Sequence, residues 1–206
     1  EILGDADPLD LLATHGEMPL PPYITARLER GDRYQTVYAA EPASSAAPTA
    51  GLHFTPELLD RLRARGVDVA TVELVVGLDT FKPVTEADPR QHLIHSERYR
   101  VPAGVLERCT AATRVVAVGT TSVRALESAV TLGEGEGRTR LFIHRPYQWQ
   151  VVDLLMTNFH MPRTTLLMMI DAFVGERWRR LYGTAIAEQY RFLSFGDAML
   201  LDRRAT

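Results

Sequence analysis

The stretch VVAVGTTSVRALESAV, residues 115–130, decides the fold class of this protein. Its first four residues are small or β-branched and apolar, which predicts a short buried strand of the parallel kind. Apolar residues then recur at helical spacing, at Val123, Leu126 and Val130. Gly119 lies between the two segments and allows the tight turn that links them. A strand that leads through glycine into a helix is typical of α/β proteins.

The same alternation of strands and helices continues on both sides of this stretch. Apolar, β-branched runs predict further strands at 67–78, 140–144 and 149–157. Helical spacing predicts helices at 164–175 and 177–192, and Thr55 and Pro56 predict the N-cap and first residue of another, which stops near Gly66. We therefore expect an α/β fold with a mostly parallel sheet flanked by helices.

The connections between these elements suggest how the chain is divided. Residues 1–24 end in the proline-rich MPLPPYI and are predicted to be a stiff lead-in to a domain formed by residues 25–206. Residues 134–138, with the sequence EGEGR, are predicted to form a turn. Residues 79–102 are longer than a plain connection, which favours a functional loop with one short strand near Tyr99.

The composition excludes several classes of protein. The chain has 206 residues, 46% of them hydrophobic, and a formal net charge of −3, which are ordinary values for a globular protein. No apolar run approaches the roughly 20 residues that a membrane-spanning helix needs, and the acidic first residues lack the basic start of a signal peptide. Cys109 is the only cysteine, so an internal disulfide and a multi-cysteine zinc site are excluded.

The turn after the predicted strand at 115–118 is a candidate ligand site. Gly119 is followed by the hydroxyls of Thr120, Thr121 and Ser122 and by the free N–H groups of a helix N-terminus, which together favour an anion or another polar ligand. Such crevices at strand C-termini hold ligands in α/β folds. Simple helix capping explains the same residues equally well. Neither GxGxxG nor a P-loop is present.

Two further turns carry hydrogen-bonding groups. In MTNFHMPRTTLLM, residues 156–168, Asn158 and His160 can bind a base or a ribose hydroxyl, or can instead be satisfied by the turn itself. In SFGDAML, residues 194–200, Asp197 can bind a ribose hydroxyl, although capping the turn is the commoner role.

Histidines mark two more candidate segments. In HLIHSERY, residues 92–99, His92, His95 and Glu97 have the chemistry for proton transfer near neutral pH, whereas a solvated charge cluster is the alternative. In AAPTAGLHFTPELL, residues 46–59, His53 precedes a capped helix. A helix N-terminus disfavours the charged imidazolium, which would leave His53 as an acceptor or base, unless it is only a packed loop residue.

Basic and aromatic residues leave further alternatives open. The runs RLRAR at 61–65 and RWRR at 177–180 can contact RNA phosphates, but such runs are more often solvated helix faces. Stacking platforms for a splayed base can be sought at Phe54, Tyr99, Tyr147 and Trp149, which are equally plausible as core aromatics.

Eight blocks of the chain together resemble one known family. They are LPPYI, RYQTVYA, AAPTAGLHFT, VGLDTFKPV, HSERY, VAVGTTSVRALES, VVDLLMTNFHMPRTTLLM and YRFLSFGDAML. From about residue 18 to residue 201 they are similar, in order and spacing, to the S-adenosylmethionine:tRNA ribosyltransferase-isomerases of queuosine biosynthesis. The resemblance implies that residues 25–206 form an α/β catalytic domain, that the family's inserted β-barrel domain is largely absent from this chain, and that residues 1–24 lead in from that region.

The resemblance also implies a reaction. Enzymes of this family transfer and isomerise the ribosyl moiety of S-adenosylmethionine onto 7-aminomethyl-7-deazaguanine in a tRNA anticodon. The products are epoxyqueuosine-tRNA, adenine and methionine. We therefore expect S-adenosylmethionine as co-substrate, tRNA as partner, no metal, no membrane, and a monomeric cytoplasmic protein.

For this reaction the candidate proton-transfer groups are His53, His95 and Glu97. Residues 120–124 are candidates for the methionine carboxylate or a tRNA phosphate, and Asn158 and His160 for adenine or ribose. The complete set of expected substrate-binding residues is Thr49, Gly51, Thr55, Gly119, Thr120, Thr121, Ser122, Arg124, Asn158, His160 and Asp197.

The sequence departs from the family pattern at Val75, where a histidine is usual, and at Asp79, where a glycine is usual. These departures keep two alternatives open: ribosyl transfer to a small-molecule amine, and a nucleoside-binding protein without catalysis. A metal-dependent hydrolase built from His53, His95 and His160 is a more distant alternative, because no HExxH spacing supports it.

Overall fold

In the part of the chain that the structure describes, the strands form two small sheets rather than one large sheet. The computed structural model describes residues 11, 14–16, 19–26, 28–41, 43–77 and 84–204. The first sheet has the strand order β1 (Glu73–Val75), β2 (Glu97–Arg100) and β4 (Glu136–Thr139), and both of its pairs are antiparallel. The second sheet has the order β3 (Val116–Val118), β5 (Leu154–Asn158) and β6 (Ala198–Asp202). In it, β3 and β5 are parallel, and β5 and β6 are antiparallel.

The predicted α/β class is confirmed, but the prediction of a mostly parallel sheet is wrong. Of the strand pairs in the described ranges, β3–β5 alone is parallel. The apolar run at 115–118 does form a parallel pair, but it is buried only in part: Ala117 is 2% exposed, whereas Val116 is 51% exposed. The direction of the remaining pairs depends on how the chain returns to the sheet, which periodicity within one segment does not reveal.

The helices fill the intervals between the strands. They are α1 (Pro56–Ala64), α2 (Val105–Ala111), α3 (Thr120–Leu132), α4 (Thr165–Val174) and α5 (Arg177–Ala187). The start of α1 is as predicted: the Thr55 hydroxyl accepts from the Leu58 N–H at 3.2 Å, and Pro56 follows it. Thr164 caps α4 in the same way. Helix α2 was not predicted. No helix within the described residues is both long and apolar enough to span a membrane.

One turn prediction and one strand prediction are wrong in neighbouring segments of the chain. The predicted turn at 134–138 lies largely within β4, whereas the predicted strand at 140–144 has no regular structure. Helix α3 ends at Gly133, whose φ of +70° turns the chain, and β4 then pairs at once with β2. Pairing with a strand far along the chain thus overrides the weak strand propensity of glutamate and glycine.

One hydrophobic core is shared by both sheets. Leu74 and Tyr99 contribute from the first sheet, Ala117 and Leu155 from the second, and Val123 from α3 between them. All of these side chains are buried. Helix α3 therefore joins the sheets, and its N-terminus is fixed at the carboxyl ends of β3 and β5.

Candidate active site

A cavity of about 970 Å³ opens where the carboxyl ends of β3 and β5 meet the N-terminus of α3. Segments that are far apart in the sequence converge on it. The predicted site residues that line the cavity are Thr49, His95, Glu97, Gly119, Thr120, Thr121, Arg124, Asn158 and His160. This is the position at which open α/β sheets hold ligands. Predicted site residues that lie outside the lining are Gly51, His53, Thr55, Ser122 and Asp197.

Of the three hydroxyl-bearing residues at the start of α3, two line the cavity and one does not. Gly119 adopts φ +87°, a conformation that residues with a side chain rarely adopt, and its N–H donates to the Met156 carbonyl at 2.8 Å. Thr120 and Thr121 follow and line the cavity. The Ser122 hydroxyl instead donates to the Val118 carbonyl at 2.8 Å. Ser122 therefore ties the helix to β3 and lies outside the cavity lining, so its predicted role in substrate binding stays a prediction.

A buried ion pair forms one wall of the cavity. Glu97 of β2 accepts a hydrogen bond from Arg124 Nη1 of α3, and the two residues are 6% and 8% exposed. Burial lowers the pKa of the Arg124 guanidinium, and the charge of Glu97 opposes that change. In the described chain, Nε and Nη2 of Arg124 are buried without a hydrogen-bond partner. The pair therefore keeps donor capacity that the protein does not use.

The second turn of the site is organised by His160. Its Nε2 lies 2.9 Å from the Thr157 hydroxyl, and its backbone N–H donates to the Tyr182 hydroxyl at 2.9 Å. Burial in this environment lowers the pKa of the imidazole to about 4. His160 is therefore neutral at physiological pH and acts as a hydrogen-bonding group rather than as a cation.

Asn158 links three segments at the wall of the cavity. Its side chain is almost fully buried, and its Oδ1 accepts from the Thr49 hydroxyl at 3.0 Å. Its Nδ2 lies 3.4 Å from His53 Nε2 and 3.5 Å from the carbonyls of Gly196 and Asp197. Asn158 thus positions the loop that carries Thr49 and the turn at 196–197. His53 is exposed and contacts the site through this amide.

The remaining predicted ligands have structural partners. Asp197 accepts from the Arg191 N–H at 2.7 Å and from Arg191 Nη2 at 3.1 Å, and these bonds lower the pKa of its carboxyl. It therefore caps a turn, which was the commoner of its two predicted roles. Gly51 lies where a Cβ would be only 2.0 Å from the Tyr38 hydroxyl, so it permits close packing. Thr55 is the N-cap of α1.

The aromatic residues at the cavity differ from those considered in the sequence. Phe54, Tyr99, Tyr147 and Trp149 are all outside its lining. Tyr99 is fully buried, and Trp149 packs against Tyr147 and Phe173. The accessible rings at the cavity belong to Tyr23, which is 37% exposed, and to Phe142. Nothing in the local pattern of either segment distinguishes these two rings from core aromatics.

The other predicted features have local partners. His92 lies 3.0 Å from Glu86 and lines the cavity beside Phe142. In RWRR, Arg179 pairs with Glu176 and stacks on Trp178, and in RLRAR, Arg63 pairs with Asp60. Within the described residues, no group of three or more His, Cys, Asp or Glu side chains could hold a metal ion. Val75 lines the cavity, whereas Asp79 lies outside the described residues.

Comparisons with known proteins agree on one family. A family model described as queuosine biosynthesis protein matches residues 2–201. A protein of Synechococcus elongatus named S-adenosylmethionine:tRNA ribosyltransferase-isomerase is 55% identical over 198 residues, which cover 92% of this chain and 55% of that protein. A Thermus thermophilus protein of the same name is 57% identical over 195 residues, which cover 90% of this chain and 56% of the relative.

A solved structure supports the same relationship. The crystal structure of S-adenosylmethionine tRNA ribosyltransferase from Thermotoga maritima superimposes with a TM-score of 0.61 at 43% sequence identity. The match covers 73% of this chain and 50% of that one. The chain thus spans about half the length of the relatives that it matches.

Proposed function

Because the chain belongs to the queuosine biosynthesis protein family, we propose that residues 25–206 form the catalytic domain of an S-adenosylmethionine:tRNA ribosyltransferase-isomerase. The enzyme transfers and isomerises the ribosyl moiety of S-adenosylmethionine onto 7-aminomethyl-7-deazaguanine in tRNA and releases adenine and methionine. The observation that carries this proposal is that the turns at Thr49, His95, Thr121 and His160 converge on one shared cavity. A tRNA substrate is consistent with a cytoplasmic enzyme, and we propose that it acts as a monomer.

The first requirement of this reaction is a base. A proton next to the positive sulfur of S-adenosylmethionine must be removed, and the amine of the tRNA base must then attack the sugar. Among the candidates, His95 lines the cavity directly, whereas His53 lies outside the lining. We therefore assign proton transfer to His95 first. Glu97 also lines the cavity, but its carboxylate is paired with Arg124, so it is the less available base of the two.

The second requirement is a binding site for the methionine portion of S-adenosylmethionine. Thr120 and Thr121 lie in the first turn of α3, where the helix dipole and free N–H groups favour a carboxylate. Arg124, one turn further along the same helix, has donors that no described residue uses. These features support binding of the methionine carboxylate at this end of the cavity.

The third requirement is recognition of the nucleoside. His160 lines the cavity as a neutral imidazole, which can hydrogen-bond adenine or a ribose hydroxyl without introducing a charge. Asn158 holds the neighbouring loops in position. Adenine leaves with a proton on its ring, and neutral His160 is suited to binding the base rather than supplying that proton.

Product analysis tests the proposal. The full-length protein is incubated with S-adenosylmethionine and a tRNA that carries 7-aminomethyl-7-deazaguanine, and the nucleosides are analysed by mass. We expect epoxyqueuosine in the digest and one adenine released for each modified tRNA. Adenine release without any change in the tRNA would contradict the assignment of the acceptor. A protein that releases no adenine would contradict the assignment of the reaction.

One observation favours a second candidate function. Val75 lines the cavity at a position where the resembling family usually carries a histidine. Loss of that hydrogen-bonding group is compatible with an acceptor other than a tRNA base, such as a small-molecule amine. Adenine release that requires a small amine and is indifferent to tRNA would support this alternative.

A further inference from the structure

Two arginines face each other across the first sheet at the edge of the cavity. Arg98 of β2 lies directly opposite Arg138 of β4, and both residues are exposed. Val75 of β1 completes the row, and all three residues line the cavity. Like charges that lie directly opposite each other on antiparallel strands destabilise a sheet. The fold therefore gains no stability from placing these two arginines together.

The next row of the same sheet face shows the contrast. There Arg100 lies between Glu73 and Glu136, with its Nε 4.0 Å from Glu136 Oε2. None of these three residues lines the cavity. The sheet is thus charge-matched in the row away from the cavity and unmatched in the row beside it.

Within the described residues, no acidic side chain neutralises the two arginines. Arg138 donates from Nε and Nη2 to the hydroxyl and carbonyl of Ser96, at 3.2 and 2.8 Å, and both acceptors are uncharged. The buried Glu97 side chain, beside Arg98 in the chain, bonds Arg124. Across the part of the chain that the structure describes, no carboxylate lies within 4 Å of either guanidinium. Ser96 therefore orients Arg138 while leaving its charge available.

We propose that Arg98 and Arg138 together bind one phosphodiester of the RNA strand whose base enters the cavity, an inference that rests on the proposed function. Two planar guanidinium groups can each offer paired donors to phosphate oxygens, and the phosphate relieves the repulsion between them. Their exposed position suits a backbone that remains outside while its base is turned inward. Phosphate contacts of this kind fix the register of a nucleic acid.

Variants of Arg98 test this phosphate clamp in the full-length protein. We expect Arg98→Ala to weaken tRNA binding about tenfold. The slope of log K against log salt concentration should fall by about 0.7. The KM for S-adenosylmethionine should be unchanged. Arg100→Ala, one row away, is the matched control and should keep wild-type tRNA affinity.

A charge reversal separates binding from folding. Arg98→Glu places a carboxylate opposite Arg138, so we expect a higher Tm without RNA and a larger loss of tRNA affinity than with Arg98→Ala. A lower Tm for Arg98→Glu would show that the arginine pair is structural and would overturn the inference. Unchanged tRNA affinity in both variants would also overturn it. A rise in the KM for S-adenosylmethionine with no change in tRNA affinity would overturn it too, because it would identify a substrate carboxylate as the ligand of the arginines.

The wild-type protein distinguishes this inference from the function on which it rests. If the clamp is wrong but the function is right, wild-type protein modifies tRNA and the Arg98 variants bind tRNA normally. If wild-type protein neither binds tRNA nor releases adenine, both proposals fail together.

Discussion

At the scale of single residues, His160 shows how burial sets the chemistry of the site. Its imidazole lies at the cavity, and burial lowers its pKa to about 4. In an unfolded chain a histidine titrates near pH 6.5. Between these two values the unfolded chain takes up a proton that the folded protein does not. The contribution of His160 to stability is therefore complete above pH 6.5 and is lost as the pH falls towards 4.

This difference predicts a pH-dependent stability. We expect the free energy of unfolding to lose on the order of 2 kcal/mol between pH 7 and pH 4.5 through this residue. His160→Gln should show a correspondingly flatter pH dependence in urea denaturation. Thr157→Val, which removes the hydroxyl beside His160 but keeps the imidazole, should retain the slope. An unchanged slope in His160→Gln would contradict the prediction.

The proposed base gives a second prediction at this scale. Because His95 lines the cavity, we expect His95→Gln to lower kcat by about 100-fold or more, the range in which acid–base groups contribute. His53→Ala should have the smaller effect, since His53 lies outside the cavity lining and contacts Asn158. Adenine release measured at saturating substrates provides the comparison. Equal losses in the two variants would remove the distinction between these histidines.

Single residues also show where sequence patterns were informative. Thr55 was predictable as a helix cap, because capping depends on a residue and the three that follow it. Ser122 matched a ligand-binding pattern equally well, but its hydroxyl bonds the Val118 carbonyl. Arg98 was missed, because its position opposite Arg138 exists only in the strand register.

At the scale of elements, one buried carboxylate holds a loop in place. Glu127 of α3 is fully buried, and its two carboxylate oxygens accept from the N–H groups of Gln150, Val151 and Val152 at 3.0–3.1 Å and from the Tyr147 hydroxyl at 3.1 Å. These bonds occupy the backbone donors that an extended strand would use. They explain why β5 begins at Leu154, later than the strand predicted to start at residue 149.

Loss of this carboxylate should be strongly destabilising. Glu127→Ala leaves three backbone donors without their acceptor in a buried setting, so we expect a loss of about 3–5 kcal/mol in the free energy of unfolding. Glu107→Ala, on the exposed face of α2, should change it by no more than about 0.5 kcal/mol. Urea denaturation of the two variants measures both values. A loss below about 1 kcal/mol for Glu127→Ala would show that the loop does not depend on this residue.

At the scale of the whole molecule, the two sheets share one core through α3. The buried cluster contains Leu74 and Tyr99 from the first sheet, together with Ala117 and Leu155 from the second. Ser128 of α3 also donates to the Thr139 hydroxyl of β4 at 2.7 Å. Strands of both sheets pack against α3. This arrangement supports treating residues 25–206 as one domain, which remains a prediction.

A shared core predicts cooperative unfolding. We expect far-ultraviolet circular dichroism and the fluorescence of Trp149 and Trp178 to report one coincident transition in denaturant. The indole N–H of Trp149 donates a hydrogen bond to the Ala172 carbonyl, and that of Trp178 donates to the Asp171 carboxylate. Transitions that separate between the two probes would show that the sheets belong to independent units.

The sequence by itself determined the α/β class, the capped start of α1, and the motif blocks that resemble one family, because each of these depends on residues close together in the chain. Only the tertiary structure decided that the described strands form two mostly antiparallel sheets and that Arg98 faces Arg138. It also decided that Thr121, His95 and His160 share a cavity, whereas Ser122 and Asp197 lie outside the lining of that cavity. Strand pairing joins backbone groups that are distant along the chain, and no local pattern specifies which of them will meet.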